Sequence, residues 1–112
     1  MAHPLVEKLR KARETVVEVG GFEFTIRRPT DLEAQRLRLA VSSGDLIPYV
    51  VGWNKVREMD VIPGGDPHPL AFDAAVCAEW LTDRIDLLGP LVEKIVAAYK
   101  AHADSLEAAE KN

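Results

Sequence analysis

One cysteine, Cys77, serves the whole 112-residue chain, which excludes an intrachain disulfide and the four-thiolate set of a zinc ribbon. It lies between Val76 and Ala78 in a helical pattern with few cationic neighbours in sequence, and reads as a buried structural thiol rather than a nucleophile. Histidine is sparse too: His3, His68 and His102 lie far apart without ligand spacing. Asp66 and His68 would join a metal site if folding brought further carboxylates near, but they sit in a proline-rich stretch that reads first as a turn with exposed polar tips. Gly64-Gly65 lacks both the Gly-Lys-Ser/Thr of a phosphate-cradling loop and a dinucleotide fingerprint, and no serine occupies a nucleophile elbow. Glu79 and Asp83 are one helical turn apart, which places them on one solvated face rather than across a cleft. No enzymatic activity and no cofactor or metal is expected.

Long apolar runs are missing as well. None approaches the roughly 20 residues that span a bilayer, and Met1 to Arg13 is basic without the apolar centre of a signal peptide, so a cytoplasmic protein with no membrane partner is expected. The apolar fraction of 47% and charged fraction of 29% suit one folded domain rather than a disordered chain. The net charge of −4 hides a division. Residues 1–44 carry +2 and residues 45–112 carry −6, with seven acidic side chains against Arg84 alone between Glu58 and Asp86. Such a segment repels a phosphate backbone, and the basic cluster Lys8, Arg10, Lys11 and Arg13 reads as a solvated helix face, so nucleic acid is not an expected partner.

Along the chain, Pro4 to Ala12 reads as a short, loosely held helix with Leu5, Val6 and Leu9 on one side and the basic residues on the other. Residues 1–14 are expected to form this helix or arm. Thr15 to Val19, Gly20-Gly21 and Phe22 to Arg28 predict a β-hairpin with a two-residue turn. That turn sets Val19 opposite Phe22, Val17 opposite Phe24 and Thr15 opposite Ile26 on an apolar face, with Val16, Glu14 and Glu18 opposite Thr25, Arg27 and Glu23 on a wetter one. An isolated hairpin is marginal in water and needs the helices that follow.

Pro29 ends the second strand, and Thr30-Asp31-Leu32-Glu33 has capping-box spacing that starts a helix to about residue 42. A second helix capped by Asp45 is expected, with Ile47, Val50, Val51 and Val56 inward and Gly52 weakening its middle. Residues 59–71 read as an ordered loop stiffened by Pro63, Pro67 and Pro69. Asp73 caps a helix to about Asp83 with Ala74, Val76, Cys77, Trp80 and Leu81 inward. A last helix starting at Asp86 or Gly89 repeats Leu88, Leu91, Val92, Ile95, Val96 and Tyr99, and the segment from about residue 103 to 112 is expected to fray. The expected fold is α+β, mainly α: an N-terminal hairpin packed on about four helices, one domain over residues 15–102. Trp53 and Trp80 suit either a core or a binding anchor.

The segments Gly52-Trp53-Asn54-Lys55-Val56, Glu58-Met59-Asp60-Val61-Ile62-Pro63-Gly64-Gly65, Phe72-Asp73, Glu79-Trp80-Leu81 and Asp83-Arg84 together resemble small tail assembly chaperones of long-tailed bacteriophages and prophages. Phe22 to Thr30 fits the same pattern, so the resemblance covers about residues 22–102. It implies a non-enzymatic protein of the bacterial host's cytoplasm that binds the tape measure protein, keeps its long apolar helical sequence from aggregating, and assists assembly of tail tube protein around it. It also implies absence from the finished virion. Many such families make a longer product by frameshifting, and Glu110-Lys111-Asn112 permits a slippery A-rich codon run. The contact surface expected on this reading joins Leu88, Leu91, Ile95 and Tyr99 of the last helix to Trp80, and self-association is left open. The alternative is a small phage-encoded inhibitor whose acidic Glu58 to Asp86 region occupies a basic cleft of a host protein.

Overall fold

The computed structural model describes residues 3–37 and 43–111. Its order is α1 (Pro4–Ala12), β1 (Glu14–Val19), β2 (Phe22–Arg27), α2 (Asp31–Leu37), a 3-10 segment (Ser43–Tyr49), β3 (Val50–Asn54), α3 (Glu58–Val61), α4 (Ala74–Thr82) and α5 (Ile85–Lys111). The fold is α+β and mainly helical, with a three-stranded antiparallel sheet in the order β1-β2-β3.

The hairpin follows from its turn. Gly20 and Gly21 both take positive φ, at 60° and 83°, which matches the twist of the flanking strands and sets the expected register from Glu14↔Arg27 to Val19↔Phe22. Gly20 has a second constraint: a Cβ there would lie 2.5 Å from Leu87 Cδ2, so the bare turn lets the hairpin tip close onto the first turn of α5. Phe24 and Ile26 are fully buried on the inner face, while Val16 stands exposed on the other.

The third strand replaces the helix expected after Asp45. Val50 and Trp53 oppose Ile26 and Phe24, two neighbours on one face of β2, yet they are three residues apart because a bulge sits in β3 opposite Thr25/Ile26. This three-residue spacing imitates helical periodicity. The adjacent β-branched Val50 and Val51, with Pro48 and Gly52 on either side, favour extended chain instead.

The capping box of α2 forms as expected: Glu33 N–H donates to Thr30 Oγ1 at 3.2 Å, and Thr30 N–H donates to Glu33 Oε1 at 2.9 Å. The rest of that expected helix, residues 38–42, lies outside the described residues. Glu33 also receives a forked pair of hydrogen bonds from Arg27 at 2.9 and 3.3 Å, and the Arg27 guanidinium lies 4.6 Å from the centre of the Tyr49 ring. Held chiefly by Arg27, and then by the Thr30 amide and Tyr49, the Glu33 carboxyl is pushed down to about 2.

One core lies between the inner face of the sheet and the helices. It gathers Phe24 and Ile26 with Leu46 and Tyr49 of the 3-10 segment, Cys77, Trp80 and Leu81 of α4, and Leu87, Leu88, Leu91 and Ile95 of α5. Asp73 caps α4 by accepting from the Val76 N–H at 3.0 Å. α5 continues to Lys111, past the point where the sequence turns polar and fraying was expected. Among the described residues no helix is long and apolar enough to cross a membrane.

Candidate partner interface

Val56 to Leu70 is an ordered excursion between β3 and α4. Its ends are tied by Leu70 N–H to Val56 O at 2.7 Å and by a bridge between Arg57 and Pro69. The Trp53 indole N–H donates to Leu70 O at 2.8 Å. Inside this frame Asp60 accepts from the Arg57 backbone N–H and guanidinium at 2.9 to 3.0 Å, which holds the single turn of α3 and keeps the Asp60 carboxyl below its usual range. Gly64, at φ 81°, turns the chain back, and Gly65 then passes so near Glu58 that a Cβ would lie 2.7 Å from its carbonyl carbon.

Aromatic residues that flank the two ends of this excursion pack against α4. Trp53 meets Phe72 at 4.9 Å and Trp80 at 5.9 Å between ring centres, and Trp80 also meets Phe22 at 5.3 Å, all edge to face. Between α3 and α4 these contacts leave an open groove of about 750 Å³. One wall is Met59, Asp60, Val61, Ile62 and Pro63; the other is Ala75, Val76, Glu79, Trp80, Asp83 and Arg84. Met59 and Ile62 are 44% and 56% exposed, large apolar side chains facing solvent in the same hollow. The groove's charges are unequal in their partners. Asp60 is paired with Arg57, and Arg84 is forked onto Asp86 at 2.9 and 3.0 Å, whereas Glu79 and Asp83 make no ion pair with any described residue. The groove is thus apolar along α3 and carries uncompensated negative charge along α4.

The residues first expected to form the contact surface lie mostly elsewhere. Leu91 and Ile95 are 0% and 1% exposed, and Leu88 and Trp80 are also buried, so the protein's own core uses the stripe on α5. Trp80 alone of these four also reaches the groove. Tyr99 is half-buried, donates to Asp31 Oδ1 at 3.2 Å, and borders a smaller apolar hollow of about 200 Å³ with Val96, Leu37 and Pro29. Sequence reasoning missed Met59, Ile62 and Val76 because the groove's walls come from segments separated by the loop. The available signal was a pair of large apolar residues in a loop otherwise built of turn and acidic residues.

Asp66 and His68 do meet, as an exposed pair in which Asp66 Oδ1 accepts from the His68 backbone N–H and contacts its ring Nδ1, but among the described residues no group of three or more His, Cys, Asp or Glu side chains is placed to hold a metal ion. Cys77 is 1% exposed, and burial pushes its thiol up to about 11, away from nucleophilic use. No protein-family model, curated protein or solved structure matches this chain.

Proposed function

We propose that this protein is a non-enzymatic tail assembly chaperone of a long-tailed phage or prophage. It acts in the cytoplasm of the bacterial host, where it binds the tape measure protein and assists assembly of tail tube protein around it. The observation that carries this reading is spatial. The sequence segments that resemble such chaperones are scattered along the chain, yet three of them, Glu58–Gly65, Glu79–Leu81 and Asp83–Arg84, supply every lining residue of the α3–α4 groove except Ala75 and Val76. A resemblance arising only from core packing would have no reason to converge on an open surface.

The chemistry of the groove suits the task. An apolar trough beside a helix accepts the apolar face of another helix, as helix-in-groove recognition does generally. Exposed Met59 adds an adaptable side chain, fitted to a partner whose many segments differ in detail. The proposed contact therefore moves from the α5 stripe to the α3–α4 groove. The test is co-expression with the longest coiled-coil-rich open reading frame of the same gene cluster. A soluble complex of defined stoichiometry supports the proposal; an insoluble long protein with nothing co-purifying, while this domain is folded, removes it.

The uncompensated Glu79 and Asp83 also suit the alternative, occupation of a host protein's basic cleft. Charge is the main attraction in such a complex, so it dissociates as salt rises, whereas apolar capture persists.

A further inference from the structure

Helix α1 is a second element with an unsatisfied apolar face among the described residues. None of its nine residues is buried, and Leu5 and Leu9 are 55% and 51% exposed. At 100° per residue Leu5, Leu9 and Ala12 form a narrow apolar stripe, with Lys8 and Lys11 down one flank and Arg10 on the other. Lys8 and Lys11 make no ion pair with any described residue, and Arg10 reaches only Glu7, at 3.7 Å on an exposed surface. An apolar stripe flanked by free positive charge is the complement of an apolar groove edged by free negative charge.

We propose that α1 of one copy docks in the α3–α4 groove of a second copy, so that the protein associates head to tail. Leu5 and Leu9 are one turn apart, as are Glu79 and Asp83, so the two surfaces repeat with the same step of about 6 Å. α1 and α4 are also equally long, at nine residues each. In the docked pair Leu5 and Leu9 cover Met59 and Ile62, and the basic flank faces Glu79 and Asp83.

The contact forms between copies rather than within one. Only Arg13 separates α1 from β1, and that junction is fixed by Arg13 N–H to Arg10 O at 3.2 Å and Arg28 N–H to Arg13 O at 2.9 Å. β1 is one edge of the sheet, while α3 follows β3 at the other edge. Because the donor and acceptor surfaces differ, the contact is heterologous, and each copy keeps one surface free for a further copy unless two copies exchange α1 reciprocally. A tape measure segment in the groove would compete with α1, but the association itself requires no such partner.

Sedimentation of the wild type up to about 1 mM, a weak-binding range suited to so small a contact, tests this directly. Two variants accompany it: Leu5→Asp with Leu9→Asp, which spoils α1, and Glu79→Lys with Asp83→Lys, which spoils the groove. All four side chains are exposed, so each variant keeps the wild-type circular dichroism and melting behaviour. The expected result is a wild-type mass that rises with concentration above the monomer, to a dimer where the exchange is reciprocal and further where it is not, while each variant alone remains monomeric. An equimolar mixture of the two variants forms a 1:1 dimer and grows no further, because one lends only α1 and the other only the groove. A wild type that stays monomeric throughout, a variant that self-associates as the wild type does, or a mixture that fails to pair overturns the proposal. None of these outcomes involves the tape measure protein, so the proposed function stands or falls separately.

Discussion

Replacing Glu33 by Gln isolates one charge in the contact that joins β2, α2 and the 3-10 segment. Gln keeps the reach of the capping box and an oxygen for the Thr30 amide, so the substitution mainly removes the negative charge that Arg27 grips at 2.9 and 3.3 Å. The folded carboxyl lies at about 2 against an ordinary 4.5. At about 1.4 kcal/mol per pKa unit this gives a ceiling of about 3 kcal/mol. The two side chains are 26% and 30% exposed, and solvent screening brings the expected contribution to about 1–2 kcal/mol. A carboxyl whose folded pKa is depressed stabilises fully above its unfolded pKa. That stability is lost as pH falls from about 4.5 to about 2. Urea unfolding of wild type and Glu33→Gln across this range should show the wild type ahead by about 1–2 kcal/mol at pH 7, with the gap closing towards pH 2. A gap that does not change with pH, or none at pH 7, refutes the reasoning.

Other substitutions separate packing from conformation. Gly20→Ala meets both positive φ and Leu87 Cδ2 at 2.5 Å and should cost about 2–4 kcal/mol, against about 1 kcal/mol for Gly21→Ala, where φ is positive but no atom lies within 4 Å; chemical denaturation of the pair checks this. Leu91→Ala empties a fully buried site and should cost about 2–5 kcal/mol in unfolding, yet leave partner capture unchanged below its melting temperature, because Leu91 belongs to the core. Cys77, raised to about 11, should resist iodoacetamide at pH 8 in the folded protein and react readily in urea, as mass spectrometry would report.

The parts of the fold legible in the sequence were those set by local chemistry. Gly20-Gly21 between two alternating segments specified the hairpin and its register, Thr30 and Glu33 specified the start of α2, and Asp73 that of α4. β3 was not legible because its bulge set Val50 and Trp53 three residues apart, so a strand carried the spacing of a helix. The candidate site was hidden for a different reason. An apolar stripe such as Leu88, Leu91 and Ile95 does not say whether it faces the chain's own core or a partner, and here the core shared by the sheet, the 3-10 segment and α4 claims it. The groove depends on Trp53 and Phe72 bracing the Val56–Leu70 excursion against Trp80, a tertiary arrangement that no local spacing encodes.

Hydrogen exchange on this protein alone and in complex with the tape measure protein tests the central claim, capture through the α3–α4 groove, most directly. Slowed exchange confined to Glu58–Pro63 and Ala75–Arg84, and lost when Ile62→Asp is used in place of the wild type, is the predicted result. Protection centred on Tyr99 and the later turns of α5, with the groove segments unchanged, would contradict it.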